Sequence, residues 1–371
     1  MPLWKRLLLV KCHKCGIPRM ASFFIRWGDN GTIVQWIQKT YRVAILHDGF
    51  MDNLFSSVES KLGFPIGHIA YEAQRNSSKA VFEGFTKFIP GSKMLLKIKP
   101  LRRIAVELFN LVGIITGQCL SETLEYKPGE YGVARISNPF NMRLMAANVV
   151  GAFETLEGIP YDSSYEQESE DKYIIKVSAA REKSEIAERM KLEFKPTLPG
   201  TIKFRRCPWC RIPIPIADSL KWVLSEGIIL DRRTGARLVF VDGYMVTTVF
   251  RELANELGEE IYDLVVEAQR DWTINNVGAL GLSGGEEPLT RTALEAAYRN
   301  YLEHLPLFGY GNPVSFKMSE NKIEVVVENP YEASILAGTL QGLYEALEKS
   351  KSTVTWETPR EGVASFTVSP A

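Results

Sequence analysis

The sequence predicts an α+β protein of two homologous domains, each a mainly antiparallel sheet packed against helices, related by an internal pseudo-twofold axis. Three observations support this fold class. The chain has 371 residues, more than twice the usual size of one domain. Two stretches of sequence repeat each other at an offset of 191 to 195 residues. Within each copy, short β-branched runs alternate with segments whose apolar residues recur at helical spacing.

The repeat is visible along most of the chain. The segment CHKCGIPRMASFFIRW, from Cys12, aligns with CPWCRIPIPIADSLKW, from Cys207. RVAILHDGFM at 42–51 then matches RLVFVDGYM at 237–245, and later matches are Glu-Ala-Gln-Arg at 72–75 and 267–270, Asn-Pro at 138–139 and 329–330, Gly151 with Gly342, and Glu154 with Glu345. We therefore predict a first repeat over residues 1–178 and a second over 201–371. A charged helix and a Pro/Gly linker at 179–200 would join them.

The predicted elements follow the same order in both copies. A β-branched strand leads into Asp-Gly, and a helix that ends at a glycine follows it. Later helices carry the Glu-Ala-Gln-Arg motif and a second amphipathic segment, and each copy ends in strands around one more helix. The predicted strands are 43–46, 131–136, 172–177, 238–241, 322–327, 353–356 and 364–368, and the predicted helices include 52–62, 102–120, 141–156, 246–257, 290–305 and 331–347.

Composition excludes several classes of protein. Hydrophobic residues make up 45% of the chain and charged residues 24%, which is typical of a folded protein and not of a disordered one. The 44 basic residues balance 44 acidic ones, which argues against nucleic acid as a partner. No apolar run approaches the roughly 20 residues that a membrane helix needs. The apolar segment at 3–10 is too short for a signal peptide, so we predict a cytoplasmic protein.

Four of the five cysteines form two Cys-x-x-Cys pairs. Two thiolates three positions apart on a tight turn can bind one Zn²⁺, and four complete a tetrahedral shell. The pseudo-twofold axis would bring the two pairs together, and the candidate metal ligands are Cys12, Cys15, Cys207 and Cys210. A closed shell of four sulfurs predicts a structural zinc ion; an iron–sulfur cluster and reversible disulfides remain alternatives. Cys119, in an apolar run, is predicted to be buried, and His13 is not expected to be a ligand.

Other candidate residues have ordinary structural interpretations. Asp48 and Asp242 are duplicated acids that precede glycine and favour turn or cap roles. The duplicated Glu72 and Glu267 favour helix-surface or buried ion-pair roles, since Arg75 and Arg270 follow. The lone His47 and His68, the glycine-rich loop 278–285 and the scattered basic residues favour packing, loop and surface roles; the basic residues are Lys93, Lys97, Lys99, Arg102, Arg103, Arg205, Arg206, Arg232 and Arg233.

The C-terminal half of each copy resembles the 4-vinyl reductase-type domain. In the second copy the similarity runs from Leu307-Phe-Gly-Tyr-Gly311 to Val368, through the small-residue helix ILAGTLQG at 335–342 and the strands around Glu357 and Phe366. The first copy shares Asn138, Ala147 and Gly151. The resemblance implies a superfamily of small-ligand-binding modules that includes TRAPP-type and haem-NO-binding domains. Many members hold zinc through cysteines in the last strands, but 168–177 and 357–366 contain none here.

These observations predict a non-catalytic sensory or regulatory protein that binds a small apolar molecule. Each copy would enclose a pocket for a hydrocarbon, an aromatic compound or a tetrapyrrole. The candidate lining residues are Phe82, Phe85, Leu108 and Phe109 in the first copy and Tyr298, Tyr301 and Leu305 in the second. The alternatives are an enzyme or enzyme accessory in tetrapyrrole or one-carbon metabolism that uses the duplicated acids, and a zinc-stabilised scaffold for a protein or a nucleic acid. A homodimer is a further candidate assembly.

Overall fold

The computed structural model describes residues 7–36, 38–88, 98–181, 185–282, 289–320 and 322–371. These residues form helices and antiparallel strands in the same order in both halves of the chain. The helices are α1 (Arg19–Phe24), α2 (Phe50–Leu62), α3 (Gly67–Phe88), α4 (Lys99–Thr116), α5 (Met142–Glu157), α6 (Glu185–Arg189), α7 (Ile214–Ser219), α8 (Met245–Leu257), α9 (Ile261–Asn275), α10 (Arg291–Phe308) and α11 (Ala333–Glu348). Among the described residues, no helix is long and apolar enough to span a membrane.

The strands form three antiparallel sheets. A central sheet has the order β1-β2-β3-β10-β9-β8, and the two four-stranded sheets have the orders β4-β5-β7-β6 and β11-β12-β14-β13. The strands are β1 (Ile25–Trp27), β2 (Ile33–Gln35), β3 (Arg42–His47), β4 (Leu120–Lys127), β5 (Tyr131–Ser137), β6 (Tyr161–Ser169), β7 (Lys172–Ala179), β8 (Leu220–Val223), β9 (Ile228–Asp231), β10 (Arg237–Asp242), β11 (Asn312–Met318), β12 (Ile323–Glu328), β13 (Ser352–Arg360) and β14 (Val363–Pro370).

A pseudo-twofold axis passes through the middle of the central sheet. Strands β3 and β10 pair antiparallel there, with Ile45 opposite Phe240. Both strands are buried through most of their length because helices cover the sheet. The repeat aligns these two residues with each other, so the axis lies between them. The predicted α+β class, with antiparallel sheets packed on helices in a repeated arrangement, is confirmed.

The two halves of the chain cross over. We call α3, α4, α5 and the sheet β4–β7 the first lobe, and α9, α10, α11 and the sheet β11–β14 the second lobe. Helix α2, from the first half, packs against α9 of the second lobe, and α8 packs against α3 of the first lobe. Trp27 donates a 2.8 Å hydrogen bond to the Leu307 carbonyl, and Trp222 donates one of 2.9 Å to the Ile115 carbonyl. Each N-terminal part therefore rests on the lobe of the other half.

Within each lobe, two helices approach closely at small residues. A Cβ on Gly151 of α5 would lie 2.4 Å from the Arg75 carbonyl oxygen of α3. A Cβ on Gly342 of α11 would lie 2.6 Å from the Arg270 carbonyl oxygen of α9. Only glycine allows the backbones to come this near. The repeated Gly151/Gly342 pair therefore sets the spacing of the helices that form one wall of each lobe.

Three sequence expectations need correction. The predicted helix 102–120 ends at Thr116, because Gly117 takes a left-handed conformation (φ +73°) and Leu120 begins β4. The charged segment 179–200 is helical only over α6 in its described part, and Met190 is fully buried there instead of solvated. Seven strands are not predicted: β1, β2, β8 and β9 have only three or four residues, and the longer β4, β6 and β11 are mostly exposed or half-buried and lack an apolar run.

Candidate metal centre and ligand cavities

The two Cys-x-x-Cys turns are knuckles with the same backbone hydrogen bonds. The N–H of Cys12 donates to the Ile17 carbonyl at 2.7 Å, and the N–H of Cys207 donates to the Ile212 carbonyl at 2.8 Å. The residue after the second cysteine turns the chain with a positive φ, which is +75° at Gly16 and +65° at Arg211. Pro18 and Pro213 then begin the short helices α1 and α7. The sequence therefore builds the same thiol-presenting turn twice.

The knuckles meet at the pseudo-twofold axis. The Sγ atoms of Cys12 and Cys207 lie 3.9 Å apart, and those of Cys15 and Cys210 lie 3.3 Å apart. All four sulfurs fall within 4.8 Å of one another, and none is in a disulfide. A tetrahedral ion with Zn–S bonds of about 2.3 Å separates its sulfurs by roughly 3.8 Å. The four thiols can therefore surround one ion of this size with small adjustments.

The surroundings of the four thiols shift their pKa values in different directions. Burial acts to raise the pKa of Cys207, but backbone N–H groups of Cys210 and Trp209 that point at its sulfur lower the pKa to about 7. Burial raises the pKa of Cys15 and of Cys210. The N–H groups around Cys207 are the kind of donors that stabilise a thiolate ligand.

Cys119 and His13 lie where the sequence places them, apart from the four thiols. Cys119 is buried, and burial raises the pKa of its thiol to about 12. His13 packs edge-on against Trp209 of the other knuckle, with ring centroids 4.7 Å apart. Neither side chain belongs to the described group of four residues that could hold one ion.

A cavity of about 140 Å³ lies inside the first lobe. Its walls are α3, α4, α5 and strands β4, β5 and β7, and residues 240–242 of β10 border it from the other half. The lining is mainly apolar. Gln118 crosses the wall and donates a 2.8 Å hydrogen bond to the Phe240 carbonyl. Asp242 also borders the cavity, and its buried Oδ2 has no hydrogen-bond partner among the described residues.

A second cavity, of about 300 Å³, occupies the matching place in the second lobe. It lies between α9, α10 and α11, and His47 of β3 borders it from the first half. Tyr310, at the position of Gln118 in the repeat, donates a 2.9 Å hydrogen bond to the Ile45 carbonyl. The Oε1 atom of Gln269 is buried without a hydrogen-bond partner among the described residues. The two cavities therefore share equivalent lining positions, but in the described part of the chain only the first extends under its four-stranded sheet.

The predicted lining residues are mostly correct. Phe82 and Phe109 line the first cavity, and Tyr301 and Leu305 line the second. Two residues differ from the prediction, since Leu108 is exposed and Tyr298 is packed in the core, where its hydroxyl donates to Glu348. Both stand on the wrong face of their helix for the cavity. The side chain of Phe85 lies outside the part that the structure describes.

The strand pairing corrects the match between Asp48 and Asp242. With Ile45 equivalent to Phe240, the residue equivalent to Asp242 is His47, and Asp48 is the inserted one. Asp242 borders the first cavity and His47 borders the second, so the two sites differ in charge type. Oδ1 of Asp242 accepts from the N–H groups of Tyr244 and Met245, which confirms its turn-capping role. Burial lowers the pKa of His47 and raises that of Asp242.

The duplicated glutamates have diverged. Arg75 lies between Glu72, at 3.3 Å, and the buried Glu154, whose other neighbour is Lys79 at 3.0 Å. Burial acts to raise the pKa of Glu154, but the two cations outweigh it and lower the pKa. Glu267 instead pairs with Lys61 on the surface. One copy therefore has the buried ion pair and the other the helix-surface pair.

The remaining candidates lie on surfaces and in loops. His68 is exposed, and Arg102 pairs with Glu157. In the loop at 278–285, the carbonyl of Gly281 accepts from Arg233 at 2.6 Å, and the neighbouring residues 279–280 border the second cavity. Residues 283–285, Lys93 and Lys97, and the side chain of Lys99, lie outside the described part.

Sequence reasoning missed several features of these sites. Arg211 takes a positive φ that is unusual for arginine, but its alignment with Gly16 could have predicted it. The buried Trp27 and Trp222 were recognised only as repeat markers, yet both bind the opposite lobe. The exposed Trp209 carried no signal as a surface residue, because an isolated tryptophan usually indicates a core.

Comparison with known proteins identifies no family. No protein-family model matches the chain, and no curated protein matches it. The phenol-responsive sensory domain of the transcription activator PoxR, solved with phenol, is 14% identical with a TM-score of 0.31, covering 42% of this chain and 87% of that one. A structure from work on haem distortion in the H-NOX family is 13% identical with a TM-score of 0.26, covering 34% and 72%. Similarities this weak assign neither a family nor a ligand, so the 4-vinyl reductase-type resemblance stays a prediction.

Proposed function

We propose that this chain is a non-catalytic small-molecule-binding regulator, built from two repeats of one ligand-binding domain and stabilised by a structural zinc ion. The observation that carries the proposal is the pair of equivalent cavities. Each one lies beside the helices of one lobe and is bordered by the central strand of the other half.

The size and lining of the cavities favour a compact apolar ligand. A cavity of about 150 Å³ is enough to hold one benzene molecule, and a tetrapyrrole with four rings would need on the order of 600 Å³. The cavities of about 140 and 300 Å³ therefore favour a hydrocarbon or an aromatic compound of one or two rings. The buried acceptor on Gln269, which has no hydrogen-bond partner among the described residues, favours a ligand with one hydrogen-bond donor in the second cavity.

The sulfur geometry supports the zinc assignment. The distances of 3.3 and 3.9 Å bracket the separation that one tetrahedral ion requires. A cluster of several irons needs a wider ring of sulfurs than one in which all lie within 4.8 Å. Four protein ligands leave no open position for a substrate, so the ion would fasten the two halves together.

Native mass spectrometry with variants that fill one cavity tests ligand binding. Ala152→Met adds atoms to the first cavity and Thr339→Met to the second, since both residues line their cavities on buried helices. We expect the purified protein to carry or take up indole or naphthalene. Each variant should lose binding in its own lobe only. Binding that both variants leave intact, or no uptake by correctly folded protein, contradicts the proposal.

Metal analysis tests the zinc site independently. We expect one zinc per chain, and we expect Cys12→Ser and Cys207→Ser each to lose it, because both repeats supply ligands. Cys119→Ser is the matched control and should retain the metal. One zinc retained in both knuckle variants would show that no shared site exists, whatever the cavities bind.

A further inference from the structure

The surface around the two knuckles carries positive charge that the balanced composition conceals. No aspartate or glutamate occurs from Lys11 to Gly28 or from Lys203 to Ala217. Seven cations flank the cysteines in the segments 11–19 and 203–211. Arg206 is the one among them that binds an acid, Asp29, at 2.7 Å. The others are exposed and form no ion pair with any residue that the structure describes; they are Lys11, Lys14, Arg19, Lys203, Arg205 and Arg211.

A pair of rings lies among these cations. The side chain of Trp209 is 59% exposed, although tryptophan normally packs in a core or finds a hydrogen-bond partner. Its only ring partner among the described residues is His13, which contacts it edge-on at 4.7 Å. The ring is therefore held in place while much of its surface remains open. Because the thiols of the two knuckles lie within 4.8 Å of one another, the rings and the cations that flank the cysteines surround one site.

We propose that this knuckle face binds single-stranded nucleic acid. Unpaired cations at several positions complement a chain of phosphates, and an open aromatic ring offers a stacking platform for a base. Single strands are favoured because a duplex hides the faces of its bases. An anionic membrane would also meet the cations, and Leu7, Val10 and Phe23 beside the first knuckle are exposed as well, so binding to anionic vesicles is the competing outcome of the test.

This face is separate from the cavities, so its function does not depend on the proposed ligand. It is formed by residues at 11–19 and 203–211, none of which borders either cavity. The equivalence of the knuckles brings cations from both halves to the same surface. The overall zero charge argued against a nucleic-acid partner, but only for the chain as a whole.

Fluorescence anisotropy with a labelled 12-nucleotide oligo(U) tests the proposal on the full-length purified protein. We expect affinity to fall with salt and Trp209→Ala to weaken binding about tenfold. Trp209→Phe, which keeps a ring, should lose less. The double variant Lys14→Ala/Arg205→Ala should reduce the slope of log K against log salt by about 1.4, at roughly 0.7 for each phosphate contact.

A second double variant serves as the control for charge. The double variant Lys172→Ala/Lys317→Ala removes the same charge from exposed positions in the two four-stranded sheets and should bind as the unchanged protein does. Unchanged zinc content and circular dichroism would show that each variant folds. If both double variants weaken oligo(U) binding equally, binding depends on overall charge and not on the knuckle face, and the proposal is overturned. Binding to phosphatidylserine vesicles but not to oligo(U) would overturn the proposal in favour of a membrane surface.

Discussion

The positive φ at one position of each knuckle predicts that adding a side chain there weakens the knuckle and that removing one strengthens it. Gly16 and Arg211 hold equivalent positions at φ +75° and +65°. A side chain in this conformation costs roughly 1 kcal/mol more than glycine does. A Cβ on Gly16 would have no other atom within 4 Å, so Gly16→Ala adds backbone strain without a collision. The substitution should therefore cost about 1 kcal/mol, and Arg211→Gly should recover a similar amount.

Competition for zinc against a chromophoric chelator measures this energy locally. If the knuckle conformation forms with the metal, about 1 kcal/mol corresponds to a fivefold change in zinc affinity. We expect Gly16→Ala to bind zinc about fivefold more weakly. Arg211→Gly should bind more tightly than Arg211→Ala, a comparison that removes the effect of the lost charge. Equal affinities for the Gly and Ala variants at either position would refute the proposed role of the positive φ.

Three further predictions concern packing, pH and thiol reactivity. Gly151→Ala should lower the free energy of unfolding by about 1–3 kcal/mol in urea titration, because its Cβ meets a carbonyl at 2.4 Å, whereas Gly278→Ala, with open space, should not. Glu154→Gln should cost about 1–3 kcal/mol at pH 7, because Arg75 and Lys79 lose the buried carboxylate that they share while Arg75 keeps its contact with Glu72. Because the folded-state pKa of Glu154 is lowered, this contribution is complete above the unfolded pKa of about 4.3 and is lost as the pH falls through the folded value. In urea titrations, the difference in stability between the unchanged protein and the variant should therefore be smaller at pH 3 than at pH 7. After chelation, iodoacetamide at pH 8 should modify the partly exposed Cys15 before Cys119, which is buried with a raised pKa and should react only after unfolding, as mass spectrometry would show.

The repeat is visible in the sequence, and much of the fold could be predicted from it. The long helices and the buried strands β3 and β10 show strong periodicity, so their positions could be predicted to within a few residues. The meeting of the cysteine pairs also followed, because equivalent segments near a twofold axis approach each other. Short-range signals were sufficient where a helical pattern extended over about ten residues or a strand was a buried apolar run.

The crossing of the halves could not be predicted. Periodicity tells which face of α2 or α8 is buried but not which lobe covers it, since both lobes present equivalent apolar surfaces. The exchange of His47 for Asp242 was hidden for a related reason. One inserted residue makes Asp48 look like the match, and only the strand register identifies the true equivalent.

Strand β3 touches both cavities. Val43, near its start, borders the first cavity, and His47, at its end, borders the second. The strand pairs with β10 at the axis and is buried through most of its length. A shift at one end would therefore require repacking at the other. If the proposed ligands bind and displace this strand, binding in one lobe should change the affinity of the other, and each ligand should then change the affinity for the other by the same factor.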